Sequence, residues 1–208
     1  MERHLRFAPE ILARLGEELV PHPDQGVMEL VRNAYDADAG WCRIEIADGT
    51  GSGGTLVVAD GGDGMTEEQL ASGFLLVGKS EKTTTTHTPR GRRKVGEKGL
   101  GRLAALRLGR RVEVSTRPAA HPGIAHVLRI DWTKFDAAEA VEDVPLVIET
   151  VPSTEPPGTT VTVIDLRQGF TPADAERLAR ALLLLTGPFS DKVGFRIECD
   201  APRSEELV

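Results

Sequence analysis

The chain predicts an α+β sandwich, a mixed or antiparallel sheet with helices on one face. Three observations carry that expectation. Two short runs with strand-like alternation, 42–47 and 55–59, flank a turn rich in Gly and Ser, as the arms of a hairpin do. Five further strand-like runs follow, at 111–116, 125–132, 144–150, 159–165 and 193–198. Two stretches, 24–39 and 172–185, instead place apolar residues at helical spacing.

The elements follow in order. Residues 9–19 are apolar at helical spacing, and Pro21 and Pro23 close that helix. Asp24 is placed to cap the next one, which runs to about Ala39. Within it Glu29, Asn33 and Asp36 stand four and three residues apart, which puts them on one helix face. Leu30, Val31 and Ala34 lie around the rest of the turn and can anchor it to a core. A carboxylate and a carboxamide side by side suit water and a hard cation such as Mg²⁺, which takes oxygen ligands and keeps several waters. The solvated face of an ordinary amphipathic helix carries similar residues.

The second hairpin arm delivers Asp60 to its tip, and Gly62 and Gly64 follow at alternate positions before Met65. Glycine adopts left-handed backbone angles and lets a ligand approach the main chain. A turn into the helix that Thr66 and Gln69 announce explains the glycines. It explains less well an acid at the tip of a buried strand. Residues 73–99 are the least regular, with four threonines at 83–86. They are too long and polar for an ordinary connector, so a mobile functional loop is expected. Arg90, Arg92, Arg93 and Lys94 form a basic run, read as a solvated loop or as a patch facing phosphate or DNA. The run leads into Gly96-Glu97-Lys98-Gly99-Leu100-Gly101-Arg102 and an apolar helix. Glycines opening a helix leave unpaired amides at its positive end, which suits phosphate. No Gly-Lys-Ser/Thr closes the segment as a Walker loop would. In the late helix, Leu178, Leu182 and Leu185 read as plain core.

At 208 residues the chain suits one domain, 1–208, with a full core. Hydrophobic content is 40% and charged content 27%, the balance of a soluble globular protein. A formal net charge of −7 argues against a nucleic-acid surface spread over the whole domain and leaves room only for a local one. Cys42 and Cys199 lack metal spacing and imply no disulfide, and the histidines form no metal pair. The start has the pattern of no signal peptide, and no run approaches the roughly 18 apolar residues a membrane span needs. Cytoplasm is the expected location.

The helix with Glu29, Asn33 and Asp36, the Asp60-x-Gly62-x-Gly64-Met65 segment and the Gly96–Gly101 segment, in that order, resemble the GHKL ATPase superfamily of gyrase, Hsp90, histidine kinases and MutL. The strand Gly158-Thr159-Thr160-Val161 resembles the one that closes the adenine pocket in that family. The resemblance runs from about residue 8 to 190 and is nearest the Hsp90, MutL and MORC branch. It implies the two-layer Bergerat fold, with an ATP lid at about 76–99. It implies that Asp60 accepts a hydrogen bond from the adenine amino group, directly and through a water that Thr159 fixes. Gly62 and Gly64 would give the base room, and Met65 either packs on it or fills the core. Asn33 would bind Mg²⁺, with Asp36 beside the nucleotide. Amides of Gly99, Leu100 and Gly101 would cradle the phosphates; Lys98 is either a γ-phosphate contact or a surface lysine. Glu29 would orient and deprotonate the attacking water.

One departure matters. Hsp90 and MutL relatives supply a further basic residue from a second domain, and the chain ends at Val208 without one. The expectation is the ATPase module of something larger, or a domain that works with a partner. The implied activity is slow ATP hydrolysis that closes the lid and drives an ATP-dependent homodimer. The alternatives are an ATP sensor with little hydrolysis, or a histidine-kinase-type catalytic domain.

Overall fold

A computed structural model of the chain describes residues 6–12, 14, 22–47, 52–75, 87–95, 108–186 and 194–200. A helical turn at 10–12 precedes helix α1 (Pro23–Asp36) and the hairpin of β1 (Trp41–Ala47) and β2 (Thr55–Asp60). A short helix α2 (Glu67–Leu70) widens into a π-helical turn, Ala71–Leu75. Then come β3 (Gly109–Arg117), β4 (Ile124–Asp131), α3 (Trp132–Asp136), a 3₁₀ turn (Val141–Asp143), β5 (Ile148–Pro152), β6 (Gly158–Leu166), α4 (Pro172–Thr186) and β7 (Arg196–Asp200). Among the described residues seven strands form one sheet in the order β5-β4-β3-β6-β2-β1-β7. Every pairing is antiparallel except β1 with β7. This is the expected α+β sandwich with a mixed, mostly antiparallel sheet.

The strand registers sort the inner face into rows. Ile46, Leu56, Val163, Val112 and Ile130 face one another across five strands. The next row is Ile44, Val58, Val161, Val114, Leu128 and Ile148. Strand residues alternate between faces, so these rows gather the apolar half of each strand on one side. Helix α1 packs against them through Val27, Leu30, Val31 and Ala34, and α4 packs beside α1. Full burial of such side chains stabilises the fold by about 1.5–3 kcal/mol each. The outer face is charged: Arg129 bonds Glu113 at 2.8 Å and Glu149 at 2.6 Å.

The third row breaks the pattern. Cys42, Asp60, Thr159, Thr116, His126 and Thr150 align across six strands at the end of the same inner face. Five of these positions are buried and only Cys42 among those five is apolar. One end of the sheet therefore presents hydrogen-bonding groups where the rest presents hydrocarbon.

Several boundaries differ from the sequence reading. Asp24 does not cap α1: His22 occupies the cap, Pro23 begins the helix, and Asp24 lies buried in the first turn facing Arg177 at 3.3 Å. Trp132 opens α3 rather than ending a strand, because Asp131 caps it by accepting the Thr133 N–H. Strand β5 starts at Ile148, four residues later than expected. Thr66 and Gln69 do form the expected reciprocal cap of α2.

Within the basic run, Arg90 and Arg93 are exposed as a solvated loop would have them, and Arg92 is the largest correction. Arg92 is neither solvated nor presented to a partner: it is 4% exposed. Its Nη1 donates to the carbonyls of Ala39 at 2.7 Å and Tyr35 at 3.3 Å, at and just beyond the C-terminal end of α1. Its guanidinium lies 5.0 Å from the Tyr35 ring centroid and 5.7 Å from that of Phe195. Its counter-charge is Asp38, 3.7 Å away, buried and in left-handed backbone geometry at φ 57°. Asp38 also accepts from the Thr88 hydroxyl at 2.6 Å and the Arg90 N–H at 3.0 Å. Asp36 accepts the Val95 N–H at 2.9 Å. Of the lid expected at about 76–99, residues 87–95 are thus tied to the end of α1, while 76–86 and 96–99 lie outside the described residues.

Breaking a buried ion pair by removing one partner costs about 3–5 kcal/mol. Arg92→Ala is expected to lower unfolding free energy by that amount in urea titrations. Arg92→Lys keeps the charge but lacks the planar fork that meets two carbonyls and two rings. Lysine is expected to recover less than half of the loss; full recovery would show that charge alone holds the segment.

Candidate functional site

Helix α1 is buried on nearly every side. Its part-exposed positions, Glu29, Arg32, Asn33 and Asp36, form one stripe at helical spacing. Glu29 pairs with Arg32 at 2.5 Å. The side-chain nitrogen of Asn33 is buried with no hydrogen-bond partner among the described residues. Asp36 meets Val95, as above. At 1.5 Å of rise per residue, Glu29 lies roughly 10 Å along the helix from Asp36.

The polar row stands at the C-terminal end of α1. The N–H of Asp63 donates to the Ala37 carbonyl at 3.3 Å, which seats the loop after β2 on the helix end. Asp60 begins that loop. Its Oδ1 accepts the Gly62 N–H at 2.8 Å, and the Thr159 backbone N–H bonds it as well. Burial dominates its chemistry and pushes the carboxyl up to about 6, against the opposing pull of those two N–H groups and the Arg117 charge. The neighbouring Cys42 thiol is pushed up too, by burial first and then by Asp60.

Beside Asp60, hydroxyls line the row. Thr159 and Thr116 approach to 3.0 Å, and the Met65 N–H donates to Thr116 Oγ1 at 2.8 Å. Met65 is partly buried and packs against the core. Two glycines are demanded by contacts within the chain. Gly64 has φ 65°, and a Cβ there would lie 2.0 Å from the Arg117 carbonyl. A Cβ on Gly158 would lie 2.1 Å from the Asp60 carbonyl. The glycine after β2 that reads from sequence as room for a ligand is thus also room for strand β3.

The structure gathers Asp60, Gly62, Gly64, Met65 and Thr159 at one end of the sheet and Asn33 and Asp36 on the helix beside it. Glu29 lies further along that helix. Lys98, Gly99, Leu100 and Gly101 fall outside the described residues. Sequence reading missed Thr116 and Asp38 and misplaced Arg92. Thr116 had a signal: it continues the buried alternation of Val112 and Val114, so a hydroxyl lands where the pattern calls for hydrocarbon.

Asn33 fits a hard cation. Its amide turned end for end puts Oδ1 where the unpartnered nitrogen stands. Among the described residues no cluster of three acidic, histidine or cysteine side chains could hold a metal alone. Mg²⁺ carried with phosphates needs only one or two protein oxygens.

Comparison with known proteins gives the family and the fold. The family model of the histidine kinase-, DNA gyrase B- and HSP90-like ATPases matches residues 22–156. A putative type II restriction enzyme, HgiDII, of Herpetosiphon aurantiacus is 33% identical over 53% of this chain and 17% of its own length. The DNA mismatch repair protein MutL of Halobacterium salinarum is 33% identical over 79% of this chain and 22% of its own. MutL of Rhodopseudomonas palustris is 35% identical over 59% and 17%. The chain therefore spans about a fifth of these curated relatives. The N-terminal domain of a DNA repair protein, solved by crystallography, shares the fold at a TM-score of 0.51 and 19% identity, over 85% of this chain and 43% of that one.

The strain of burying Asp60 is measurable without any ligand. Its folded carboxyl titrates near 6 against an ordinary value of 3.8. The stability it contributes is therefore complete below about pH 4 and is lost as pH rises through 6. Asp60→Asn keeps an oxygen for the Gly62 N–H and removes the charge. The variant is expected to be more stable than the parent in urea at pH 8, with a smaller advantage at pH 5. An advantage independent of pH would mean that the carboxylate is not strained.

Proposed function

Because the chain belongs to the histidine kinase-, DNA gyrase B- and HSP90-like ATPase family, we propose that it binds ATP with Mg²⁺ and hydrolyses it slowly. The observation that carries this reading is Asp60: a buried acceptor, raised in pKa, at the end of an apolar sheet face. The adenine amino group is a donor of the right kind to meet it. From there the α1 stripe supplies groups in the order a nucleotide needs them. Asn33 would take Mg²⁺ through its amide oxygen, and the ion would neutralise charge on the phosphates. Glu29 would orient the attacking water and take its proton. Lys98 and the amides of Gly99, Leu100 and Gly101 would meet the phosphates. Nucleotide would close a lid within 76–99 around the anchored residues 87–95 and favour a homodimer; support for the lid and the dimer comes from the family resemblance. The domain would serve a larger protein, one that processes DNA as its relatives' names suggest.

A second reading, an ATP sensor with little turnover, draws support from Glu29. Its carboxylate is engaged by Arg32 in this structure. Such a part-exposed pair is worth at most about 1 kcal/mol, so release for catalysis would be easy. The two readings separate on rate rather than on affinity.

Titration calorimetry with ATP and Mg²⁺ tests the reading directly. Asp60→Asn is expected to lose about one to two decades of affinity, the worth of a buried charge-assisted hydrogen bond; unchanged affinity would remove the adenine assignment. Glu29→Ala should keep ATP affinity and lose single-turnover hydrolysis. Hydrolysis at the parent rate would rule out Glu29 as the base. Asn33→Ala should weaken binding only when Mg²⁺ is present, and a parent protein indifferent to Mg²⁺ would contradict that role.

A further inference from the structure

Thr116 sits in the polar row one strand beyond Thr159, and nothing in the mechanism above uses it. It is fully buried, and a buried hydroxyl must spend both its acceptor and its donor. Its acceptor role is settled by the Met65 N–H at 2.8 Å, since a backbone N–H can only donate. Its single proton has two destinations, Thr159 Oγ1 at 3.0 Å or the Gly158 carbonyl at 3.5 Å. The first is a normal hydrogen bond and the second is at the limit of one. The shorter contact is the better use of the proton, so the geometry favours Thr116 as donor to Thr159. Thr159 accepts from inside the sheet, and its own proton is left for whatever stands beside Asp60, its cross-strand partner.

We propose that Thr116 is a positioning residue that fixes Thr159 as a hydrogen-bond donor and so sets the base preference of the site. The inference rests on the ATP reading above. The chain of donors runs from Met65 N–H to Thr116 and from Thr116 to Thr159, and ends at the ligand. Together Asp60 and Thr159 then present an acceptor beside a donor. Adenine offers the complement, an amino group beside an unprotonated ring nitrogen. Guanine offers the reverse, a carbonyl beside a ring N–H, and would leave buried groups unpaired, which discriminates more strongly than a missing contact does. Without the Thr116 hydroxyl, Thr159 could rotate to accept, and the distinction would fade. The Met65 end gives the chain a second consequence: the loop carrying Gly62 and Gly64 is tied to the same hydroxyl that orients Thr159.

The test is competition of ATP and GTP, each with Mg²⁺, against a fluorescent ATP analogue on the parent, Thr116→Val and Thr116→Ser. Valine is expected to lose about tenfold in ATP affinity, the order of one or two hydrogen bonds, and to lower the ratio of ATP to GTP affinity. Serine, which keeps the hydroxyl, should behave as the parent. A residue with only a packing role would weaken both nucleotides alike, so an unchanged ratio overturns the proposal. Adding Thr116→Val to Thr159→Val should cost no further ATP affinity, because both act through one donor; additive losses overturn it as well. Should valine fail to fold, Thr116→Cys, similar in size but a weak donor, carries the same expectation. A parent protein that binds neither nucleotide overturns the ATP reading itself, and this inference with it.

Discussion

A carboxylate held out of water at the end of an apolar sheet is the constraint from which the site is built. Asp60 completes a strand whose inward residues, Leu56 and Val58, belong to the core, and the same alternation carries its side chain inward. A charge there needs polar company, and the row on its β6 side continues with hydroxyls and a histidine rather than aliphatics. Two backbone N–H groups reach it, yet burial still pushes its carboxyl up to about 6. The fold therefore keeps a strained acceptor in a place where a hydrophobic residue would be more stable. Such an arrangement makes sense for a group whose partner arrives from outside.

A second buried charge has the opposite character. Asp38 and Arg92 are as deeply buried as Asp60, but between them they satisfy a hydroxyl, a backbone N–H and two helix-end carbonyls. This pair joins three pieces that are distant in sequence: the end of α1, residues 87–95 and, through Phe195, the approach to β7. Arg90 extends the link by bonding Asp63 in the glycine loop at 3.2 Å. The loop that carries Gly62 and the segment 87–95 are thus held to the same helix end. One charged centre is left strained by burial; the other fixes the segments around it.

Much of this was legible in the sequence, for identifiable reasons. The hairpin announced itself through alternation and a glycine-rich turn, and its second strand placed Asp60 at a tip where a turn alone gave no reason for an acid. The stripe of Glu29, Asn33 and Asp36 followed from helical spacing. What failed were inferences from local charge and composition. Four basic residues among five read as a surface, but the partner that buries Arg92 is Asp38, more than fifty residues earlier, and sequence spacing does not report that pairing. Asp24 looked like a cap because capping residues precede helices; Pro23 took the first helical position and moved the acid inside, where Arg177 meets it. Alternation in β3 marked Thr116 as a hydroxyl at a buried position, but what faces it became visible only with the register.

The same logic explains why α1 can act as the backbone of a site rather than merely its floor. At its start Asp24 is bound to Arg177 of α4, and at its end the carbonyls of Tyr35 and Ala39 are capped by Arg92. Between these anchors Val27, Leu30, Val31 and Ala34 are locked into the core. A helix fixed along its length presents its one open stripe at constant spacing, with Asn33 and Glu29 one and two turns back from the end that meets Asp60. A ligand extended along that stripe would be measured against a rigid ruler. What remains adjustable is the side chains themselves: the Glu29–Arg32 pair lies partly in solvent and can be exchanged at little cost, whereas the pair at Arg92 cannot. Rigid spacing with one exchangeable contact is the arrangement expected of a site that must bind first and react second.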